Sequence, residues 1–256
     1  MNPVLLVTIF ISFLNFLSSN DHVGSAVYSW SDFKVNKQKT RVSRPILEGN
    51  TTHLEYFEMH ATTLYPGKMP HSSHTHEDDD ELILVRQGQI KITTDNTSKV
   101  IGPGGIALIR PGEEHGLHNA GDGEAVYYIM KMRSKKPMDI NRSINAGGSI
   151  FIDRKDLEFK THQKGGRWNY FDRPTTACED FEFHATSLNP NTSSHDPHTH
   201  VQEEIILMLK GNAVMHIDGK EYNTETGDVI FLDSNIPHSI SNIGDDACEY
   251  FAFQWK

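Results

Sequence analysis

Short apolar runs separated by turn-forming residues occupy most of this chain. Four such runs in the first half lie at 81–86, 90–94, 105–110 and 125–130. Turns that contain glycine separate them, at 86–89, 102–105 and 120–123. The second half repeats the pattern, with runs at 205–209, 213–217, 229–232 and 250–253. Runs of this length and spacing are typical of β-strands, and neither half has a long amphipathic helical pattern, so the sequence predicts an all-β protein.

The two halves are related by an internal duplication. The segment 57–66 (FEMHATTLYP) matches 181–190 (FEFHATSLNP) at an offset of 124, and seven of the ten residues are identical. Three later residues also match at an offset of 123: Gly88, His115 and Asn119 with Gly211, His238 and Asn242. Two copies of this length indicate a duplicated domain and not a solenoid. We therefore divide the chain into module one, residues 27–140, and module two, residues 141–256.

The N-terminal segment has the pattern of a targeting sequence. Residues 4–17 (VLLVTIFISFLNFL) are mostly apolar, and this length fits a signal-peptide core but is short for a membrane span. We predict a signal peptide within residues 1–26, cleaved near Ser18–Ser19 or near Gly24–Ala26. The prediction implies a secreted or periplasmic protein with no stable membrane span after cleavage. No basic residue precedes the apolar run, which leaves a membrane anchor as the alternative.

Composition narrows the function classes. The 256-residue chain has 34 acidic and 24 basic residues and a formal net charge of −10, which argues against nucleic-acid binding. Cys178 and Cys248 form neither a C-x-x-C pair nor a zinc pattern, so we expect buried or free thiols, with a disulfide as the alternative. Fifteen histidines are an unusual number, and imidazole is the commonest metal ligand in proteins.

The spacing of the histidines predicts two metal sites. Each module has an H-x-H pair, a glutamate four or five residues later, and a further histidine on a distant segment. The proposed ligands are His74, His76, Glu81 and His115 in module one, and His198, His200, Glu204 and His238 in module two. Because residues i and i+2 of a strand share one side, we expect each H-x-H pair to face inward. Three imidazoles and one carboxylate suit a divalent transition metal (Mn, Fe, Ni, Cu, Co or Zn), one per module, and leave coordination positions open for a substrate.

The same residues carry a resemblance to a known family. The pattern G-x5-6-H-x-H-x3-4-E-x6-G, followed by G-x5-P-x-G-x2-H-x3-N, is that of the cupins, and the sequence resembles a bicupin over nearly all of the chain after the leader. The resemblance implies two tandem cupin barrels of the double-stranded β-helix, or jelly-roll, type. Arg110 and Asp233 replace the usual proline, and Asn235 replaces the usual glycine of module two. These are turn positions, so the departures concern loop geometry and leave the ligand types intact.

Other paired residues are candidates for contact with a substrate. His71 and His195 lie three residues before the first ligand of each module, where the lip of a pocket is expected. Tyr127 and Lys131 are four residues apart, so on a strand they share one face, and the lysine could anchor a carboxylate. This pair is similar to the Tyr-x3-Lys pair with which (S)-ureidoglycine aminohydrolases hold their substrate, although that family uses a different ligand set. A surface position for Lys131 is the alternative.

The repeat and strand alternation also predict positions for several polar residues near the ligands. His60 and His184 match across the repeat, and we expect them at the solvent or at an interface. The acidic run 77–80 is expected to be a solvated loop, with a general base or a second cation site as the alternative. Glu203 should point away from Glu204, so we expect it to be exposed.

These observations favour a metal-dependent enzyme that acts on a small oxygenated or carboxylate-bearing substrate, such as a sugar acid or a ureide. The metal would act as a Lewis acid in isomerase, hydrolase or lyase chemistry. One alternative is a dioxygenase or decarboxylase of the quercetinase or oxalate type. Another is a non-catalytic sugar-binding or storage-like bicupin, although such proteins usually lose ligands and this chain keeps all eight. A homodimer is plausible, and either module could be the active one.

Overall fold

The regular structure of the computed structural model, which describes residues 21–95 and 97–256, is almost entirely β-strand. The strands of the first half are β1 (Ala26–Tyr28), β2 (Asn36–Lys37), β3 (Arg41–Gly49), β4 (Leu54–Leu64), β5 (Asp80–Gln87), β6 (Ile90–Thr94), β7 (Ser98–Ile101), β8 (Ile106–Ile109), β9 (His115–Asn119) and β10 (Ala125–Ser134). The helix α1 spans Ile140–Asn145, and short 3-10 turns lie at Trp30–Asp32 and Arg154–Asp156. After the helix the strands are β11 (Ile150–Ile152), β12 (Phe159–His162), β13 (Gly165–Asp172), β14 (Phe181–Leu188), β15 (Thr192–Ser193), β16 (Glu203–Lys210), β17 (Asn212–Ile217), β18 (Lys220–Glu225), β19 (Val229–Leu232), β20 (His238–Asn242) and β21 (Cys248–Trp255).

Each module pairs a seven-stranded sheet with a smaller one. Module one has the orders β11-β8-β5-β10-β4-β3-β2 and β7-β6-β9, and module two has β1-β19-β16-β21-β14-β13-β12 and β15-β20-β17-β18. In β6 buried and exposed residues alternate, as expected where only one face meets a core, whereas β5 is buried on both faces over six residues. The prediction of two tandem jelly-roll barrels is confirmed.

The two modules exchange terminal strands. The first strand, β1, pairs antiparallel with β19 of module two, so that Val27 lies opposite Ile230. The strand β11, which follows the division placed at residue 140, pairs instead with β8 of module one, so that Phe151 lies opposite Ala107. Each large sheet therefore has, at one edge, a strand from the other half of the chain, so the two modules are joined through strand pairing in both sheets.

A continuous apolar core joins the faces of the two large sheets. Phe57 of β4 packs against Phe231 and Trp255 of module two, with ring centroids 5.7 and 5.4 Å apart, and all three side chains are fully buried. The face of β4 that carries Phe57 thus points into this interface. The opposite face, which carries His60, lines the interior of module one, so the expectation of His60 at the solvent or at an interface is wrong.

Residues directly after the predicted leader core belong to the folded protein. Val23 is fully buried in the core between the sheets, and Ser25 Oγ accepts a 2.8 Å hydrogen bond from the backbone N–H of Asp233. Residues 1–20, which contain most of the predicted signal peptide, lie outside the described residues, so secretion stays a prediction. Within the described part of the chain, no helix is long and apolar enough to cross a membrane.

Both cysteines are buried as free thiols, in agreement with the prediction. Cys178 lies in the turn before β14, and Cys248 begins β21. Burial raises the pKa of both thiols, to about 11 for Cys248 and further for Cys178. The two thiols are therefore protonated near neutral pH and behave as small core side chains.

Candidate metal and substrate sites

The four predicted ligands of module one meet at one end of its barrel. His74 and His76 lie in the loop between β4 and β5 and not in a strand. Both residues do join the ligand group, but strand alternation, the reason given for it, is wrong. What places His74 is a backbone bridge to His115, with N–O distances of 3.0 and 2.9 Å. Glu81 is the second residue of β5, and His115 begins β9. One ligand atom from each of the four residues lies within 4.8 Å of the others.

The distances in this group are those of atoms that converge on one point. Glu81 Oε2 lies 2.8 Å from His76 Nε2, and Glu81 Oε1 lies 3.3 Å from His115 Nε2. The Nε2 atoms of His74 and His76 are 2.9 Å apart. The carboxylate is nearly inaccessible to solvent, at 3% exposure, so water does not screen these contacts.

The tautomer of His115 shows that this donor set fits a cation. Its Nδ1 donates a hydrogen bond to the carbonyl of Glu113 at 3.0 Å, and a carbonyl can only accept. In a neutral imidazole Nε2 then bears a lone pair, and here that lone pair faces the Glu81 carboxylate without a hydrogen-bonding geometry. A lone pair that faces an anion in a buried site requires a proton or a metal ion between them, and a carbonyl-fixed imidazole is the usual arrangement of a metal-binding histidine.

The ionisation of module one favours the same interpretation. Burial, together with the neighbouring His115, lowers the pKa of His74 to about 4, so this imidazole is neutral at pH 7. Burial alone would raise the pKa of Glu81, but His115 and His76 hold it below its ordinary value, so the carboxylate is ionised. Burial likewise opposes the charged form of His115, yet Glu81 raises the pKa of His115 overall. The ionised Glu81 and the neutral His74 are thus in the protonation state in which both coordinate metals, whereas a proton competes with the metal at His115.

Module two repeats the arrangement with one difference. His198, His200 and His238 form a group with ligand atoms within 4.8 Å of one another. Glu204 Oε2 lies 3.2 Å from His200 Nε2 and 3.1 Å from His238 Nε2, but Glu204 is not within the same limit of His198. Against the effect of burial, His200 and His238 lower the pKa of Glu204 to about 2. Backbone carbonyls at Gln202 and Ile236 accept from the Nδ1 atoms of His200 and His238, as in module one.

A cavity opens beside each group of ligands. In module one it has a volume of about 160 Å³ and is lined by ligands of the metal group, by Tyr127 and Lys131 of β10, and by His60 and His71. In module two the cavity has a volume of about 270 Å³ and is lined by the equivalent His184, His195, Tyr250 and Gln254. The structure therefore brings the predicted substrate residues and the predicted ligands to one cavity in each module.

Lys131 is the one lysine among the described residues that line the module-one cavity. Its side chain is half-buried and lines the cavity, in register with Glu58 of β4 on one side and Glu81 of β5 on the other. Among the described residues, none forms a hydrogen bond or an ion pair with it. Lys131 therefore does not lie on the outer surface, which was the alternative prediction. It is a cation that faces the cavity. The neighbouring Tyr127 is buried at 2% exposure, and burial raises the pKa of its phenol.

His71 and His195 lie at the mouths of the two cavities, as expected. Both are exposed, and their rings lie 4.3 and 4.1 Å from those of the first ligands, His74 and His198. The Nδ1 atoms of His71 and His195 donate to the carbonyls of Ser72 and Asp196. The Nε2 atom of each ring is therefore the one available to accept a proton or to contact a substrate.

A carboxylate–histidine pair in each module was missed as a functional candidate. His60 Nδ1 lies 2.6 Å from Glu58 Oε1, which orients the ring, and His60 lines the cavity. In module two the equivalent contact joins His184 Nδ1 and Glu182 Oε1 at 3.2 Å. The repeated F-E-x-H-A-T segment contained this signal. Strand alternation alone did not reveal which face of the strand becomes the interior.

The cationic side chains that line the module-two cavity differ from Lys131, because each of them already forms a hydrogen bond or an ion pair within the protein. Gln254 takes the place of Lys131. Arg167 Nη2 lies 2.8 Å from Glu182 Oε1, and Arg167 Nε donates to Asn169 at 2.6 Å. Lys164 Nζ donates to the carbonyl of Ser194 at 2.8 Å. The two cavities thus share a metal-ligand group but not an unpaired cation.

Three acidic residues beside the ligands are buried, contrary to expectation. In the run 77–80, Asp79 pairs with Arg133 at 2.9 Å, and Asp80 is only 1% exposed. Glu77 and Asp78 are exposed, so the expectation of a solvated loop holds for the first half of the run and is wrong for Asp79 and Asp80. Glu203 does point away from Glu204, but it is completely buried in the interface between the modules and not exposed.

Comparisons with known proteins agree with this geometry. The family model described as Cupin domain matches residues 61–131 and 185–253, which together exceed half of the chain. An oxalate-binding protein of Thermotoga maritima is 42% identical over 64 residues, which cover 25% of this chain and 53% of that protein. The chain spans about half the length of the curated relatives it matches.

Solved structures resemble almost the whole chain at low identity. Protein YlbA from E. coli is 17% identical, with a TM-score of 0.71 and coverage of 93% of both chains. The oxalate decarboxylase of Bacillus subtilis, a protein with Mn(II) centres, is 15% identical, with a TM-score of 0.69 and coverage of 91% of this chain and 78% of that one. With the cupin model matched once in each half, the chain belongs to the cupin family and is a bicupin.

Proposed function

We propose that this bicupin is a metal-dependent enzyme that acts on a small carboxylate in the cavity of module one. The observation that carries the proposal is Lys131, a half-buried cation that faces the cavity and has no partner among the described residues. A partly desolvated charge without a counter-charge is unfavourable, and a bound carboxylate would supply the counter-charge. The four candidate ligands His74, His76, Glu81 and His115 supply the metal-binding group of the same site.

Each residue of the cavity has a part that follows from its position. The four ligands would hold a divalent metal ion, which supplies Lewis-acid polarisation of a substrate oxygen when bound. Lys131 would bind the substrate carboxylate and fix its orientation. His60, oriented by Glu58 through Nδ1, presents Nε2 to the cavity and is placed to accept or return a proton. His71 at the mouth is a second proton carrier.

The size of the cavity limits the substrate. The cavity of module one, at about 160 Å³, is smaller than that of module two, at about 270 Å³. This favours an acid of the size of oxalate, or a 2-oxo or 2-hydroxy acid of similar size. Similarity to an oxalate-binding protein and to oxalate decarboxylase supports the same class.

Decarboxylation or oxidation of the oxalate type is the second candidate, and the similarity to oxalate decarboxylase favours it. A carboxylate acid or base beside the metal would support it further. Among the described residues that line the module-one cavity, however, Glu81 is the one carboxylate, and it belongs to the ligand group. Proton transfer in this cavity therefore falls to histidine, which favours the Lewis-acid proposal over this candidate.

The test combines metal analysis with ligand binding. Protein purified without added metal is analysed for Mn, Fe, Co, Ni, Cu and Zn, and is then titrated calorimetrically with oxalate and with oxamide, its neutral isostere. We expect bound divalent metal, oxalate binding that requires the metal, and no comparable binding of oxamide. Turnover of small 2-oxo and 2-hydroxy acids is then compared with and without dioxygen. A chain that binds no divalent metal, or that binds both ligands equally, would contradict the proposal.

A further inference from the structure

Module one holds the ligand segment of module two through its β3–β4 turn. Thr51 Oγ1 donates a 2.7 Å hydrogen bond to Glu203 Oε2, and the backbone N–H of His53 donates to Glu203 Oε1 at 3.2 Å. Glu203 directly precedes the ligand Glu204. His53 Nε2 also donates to the carbonyl of Val201 at 2.9 Å, within the loop before Glu203. A turn of module one is thus attached at two points to the segment that carries a metal ligand of module two.

The reverse contact exists as well. The β13–β14 turn of module two contains Ala177, whose backbone N–H donates to Asp80 Oδ2 at 2.7 Å. Asp80 directly precedes the ligand Glu81, just as Glu203 precedes Glu204. The two turns are equivalent in the repeat, since Thr175 matches Thr51 at an offset of 124. In both turns the threonine hydroxyl accepts a 3.0 Å hydrogen bond from the backbone N–H three residues later.

Basic side chains donate hydrogen bonds to the backbone carbonyls of both turns. Lys135 Nζ donates to the carbonyls of Thr51 and Thr52, at 2.6 and 3.1 Å. Arg142 donates through Nε and Nη2 to the two equivalent carbonyls of module two, both at 2.8 Å. With their carbonyls held in this way, the turns are defined contacts of the interface and not mobile loops.

The geometry of a strand explains how these contacts reach the metal site. Neighbouring residues of a strand point to opposite faces, so Glu204 points into the barrel while Glu203 points into the interface. Glu203 has no exposed surface, and Trp255 Nε1 donates to it at 2.8 Å in addition to the bonds from module one. A buried carboxylate that loses a donor pays a large desolvation cost, so Glu203 keeps its position and with it the start of β16.

We infer that Thr51 is a positioning residue for Glu204, and the Thr175–Cys178 turn for Glu81, so that the metal affinity of each module depends on a turn of the other. The inference rests on the proposed metal binding and extends it. Asp80 is also buried, at 1% exposure, so the dependence is expected in both directions.

The experiment measures the affinity of each site separately, with cobalt(II) absorption as the readout. His76→Ala isolates module two, and His200→Ala isolates module one. Thr51→Val, which removes the hydroxyl at constant shape, is expected to weaken cobalt binding by module two about tenfold, the lower range for lost outer-shell partners. Binding by module one should stay within twofold of the unsubstituted protein. Thr51→Ser keeps the hydroxyl and should restore the affinity of module two.

A matched control and a metal-free readout separate positioning from general destabilisation. Thr224 is also buried, and its hydroxyl donates to Ala213 within module two at 3.2 Å, so Thr224→Val should leave both affinities unchanged. Hydrogen exchange on the metal-free protein should rise at 201–204 in Thr51→Val and not across the rest of module two. If Thr51→Val does not fold, His53→Leu, at a half-exposed position, replaces it and should weaken the same site.

The outcomes distinguish the inference from the proposed function. If the unsubstituted protein binds no cobalt, the metal assignment fails and the inference fails with it. If the unsubstituted protein binds cobalt and Thr51→Val binds it equally well in module two, the inference alone is overturned. Equal weakening of both modules, or no recovery in Thr51→Ser, would also overturn it.

Discussion

Replacing Lys131 with methionine removes the charge from the module-one cavity and keeps most of the side-chain length. The hydrocarbon stem can still pack against the wall of the cavity, so the folded structure should be retained. The amine has no partner among the described residues, so its loss breaks no hydrogen bond of the protein in that part of the chain. Stability should therefore change by less than about 0.5 kcal/mol.

The expected effect falls on the binding of an anion. A hydrogen bond to a charged group contributes about 1.5–3 kcal/mol, and Lys131 is half-buried, so solvent screening favours the lower half of this range. At about 1.4 kcal/mol per tenfold change in affinity, the loss is roughly 10- to 40-fold. Affinity for a neutral isostere should not change, because the lost interaction is electrostatic.

Calorimetric titration of the metal-loaded protein with oxalate and with oxamide measures this effect. The repeat offers a matched control in Gln254, which takes the place of Lys131 in module two. Gln254→Met should leave oxalate binding by module one unchanged. Unchanged oxalate affinity in Lys131→Met with metal content intact would refute the reasoning, as would equal loss of oxalate and oxamide binding.

Three further predictions concern protons, the dyad and the interface. Because Glu81 raises the pKa of His115 against the effect of burial, the imidazole keeps its proton to a higher pH than a free histidine, and that proton competes with a metal ion. Metal affinity should therefore fall as the pH is lowered, and titrations in buffers of unlike ionisation enthalpy should reveal proton release. An affinity that does not change between pH 5.5 and 8 would contradict this. Glu58→Gln removes the carboxylate that orients His60, so it should alter the pH dependence of turnover. It should also lower kcat roughly 10-fold or more with little change in KM, since general acid–base catalysis contributes about 10²–10⁴-fold. An unchanged pH–rate profile would exclude the Glu58–His60 dyad. Phe57→Ala should lower the free energy of unfolding, measured in urea, by about 3–5 kcal/mol. The control Val100→Ala, at an exposed position, should change it by almost nothing. A loss below about 1 kcal/mol in Phe57→Ala would mean that the interface is loosely packed.

Local patterns in the sequence were sufficient for the fold and the ligand types. The run 90–94 alternates in burial as its apolar and polar residues alternate, because a strand with one buried face has a period of two. The duplication was visible in matched segments, and the H-x-H, glutamate and distant histidine of each copy are residue types with few other reasons to recur together. Tyr127 and Lys131 share a face of β10 because they are four residues apart, and both line the module-one cavity.

The tertiary structure decided which face of each strand became the interior and which segments met across the modules. The sequence by itself determined that Glu58 and His60 share a face of β4. Because the apolar face of β4 packs in the interface between the large sheets, the opposite face, with this dyad, lies toward the cavity. The burial of Glu203, and its contact with Thr51, depends on residues about 150 positions apart. Such pairing is set by the packing of two curved sheets against each other, and no local periodicity encodes it.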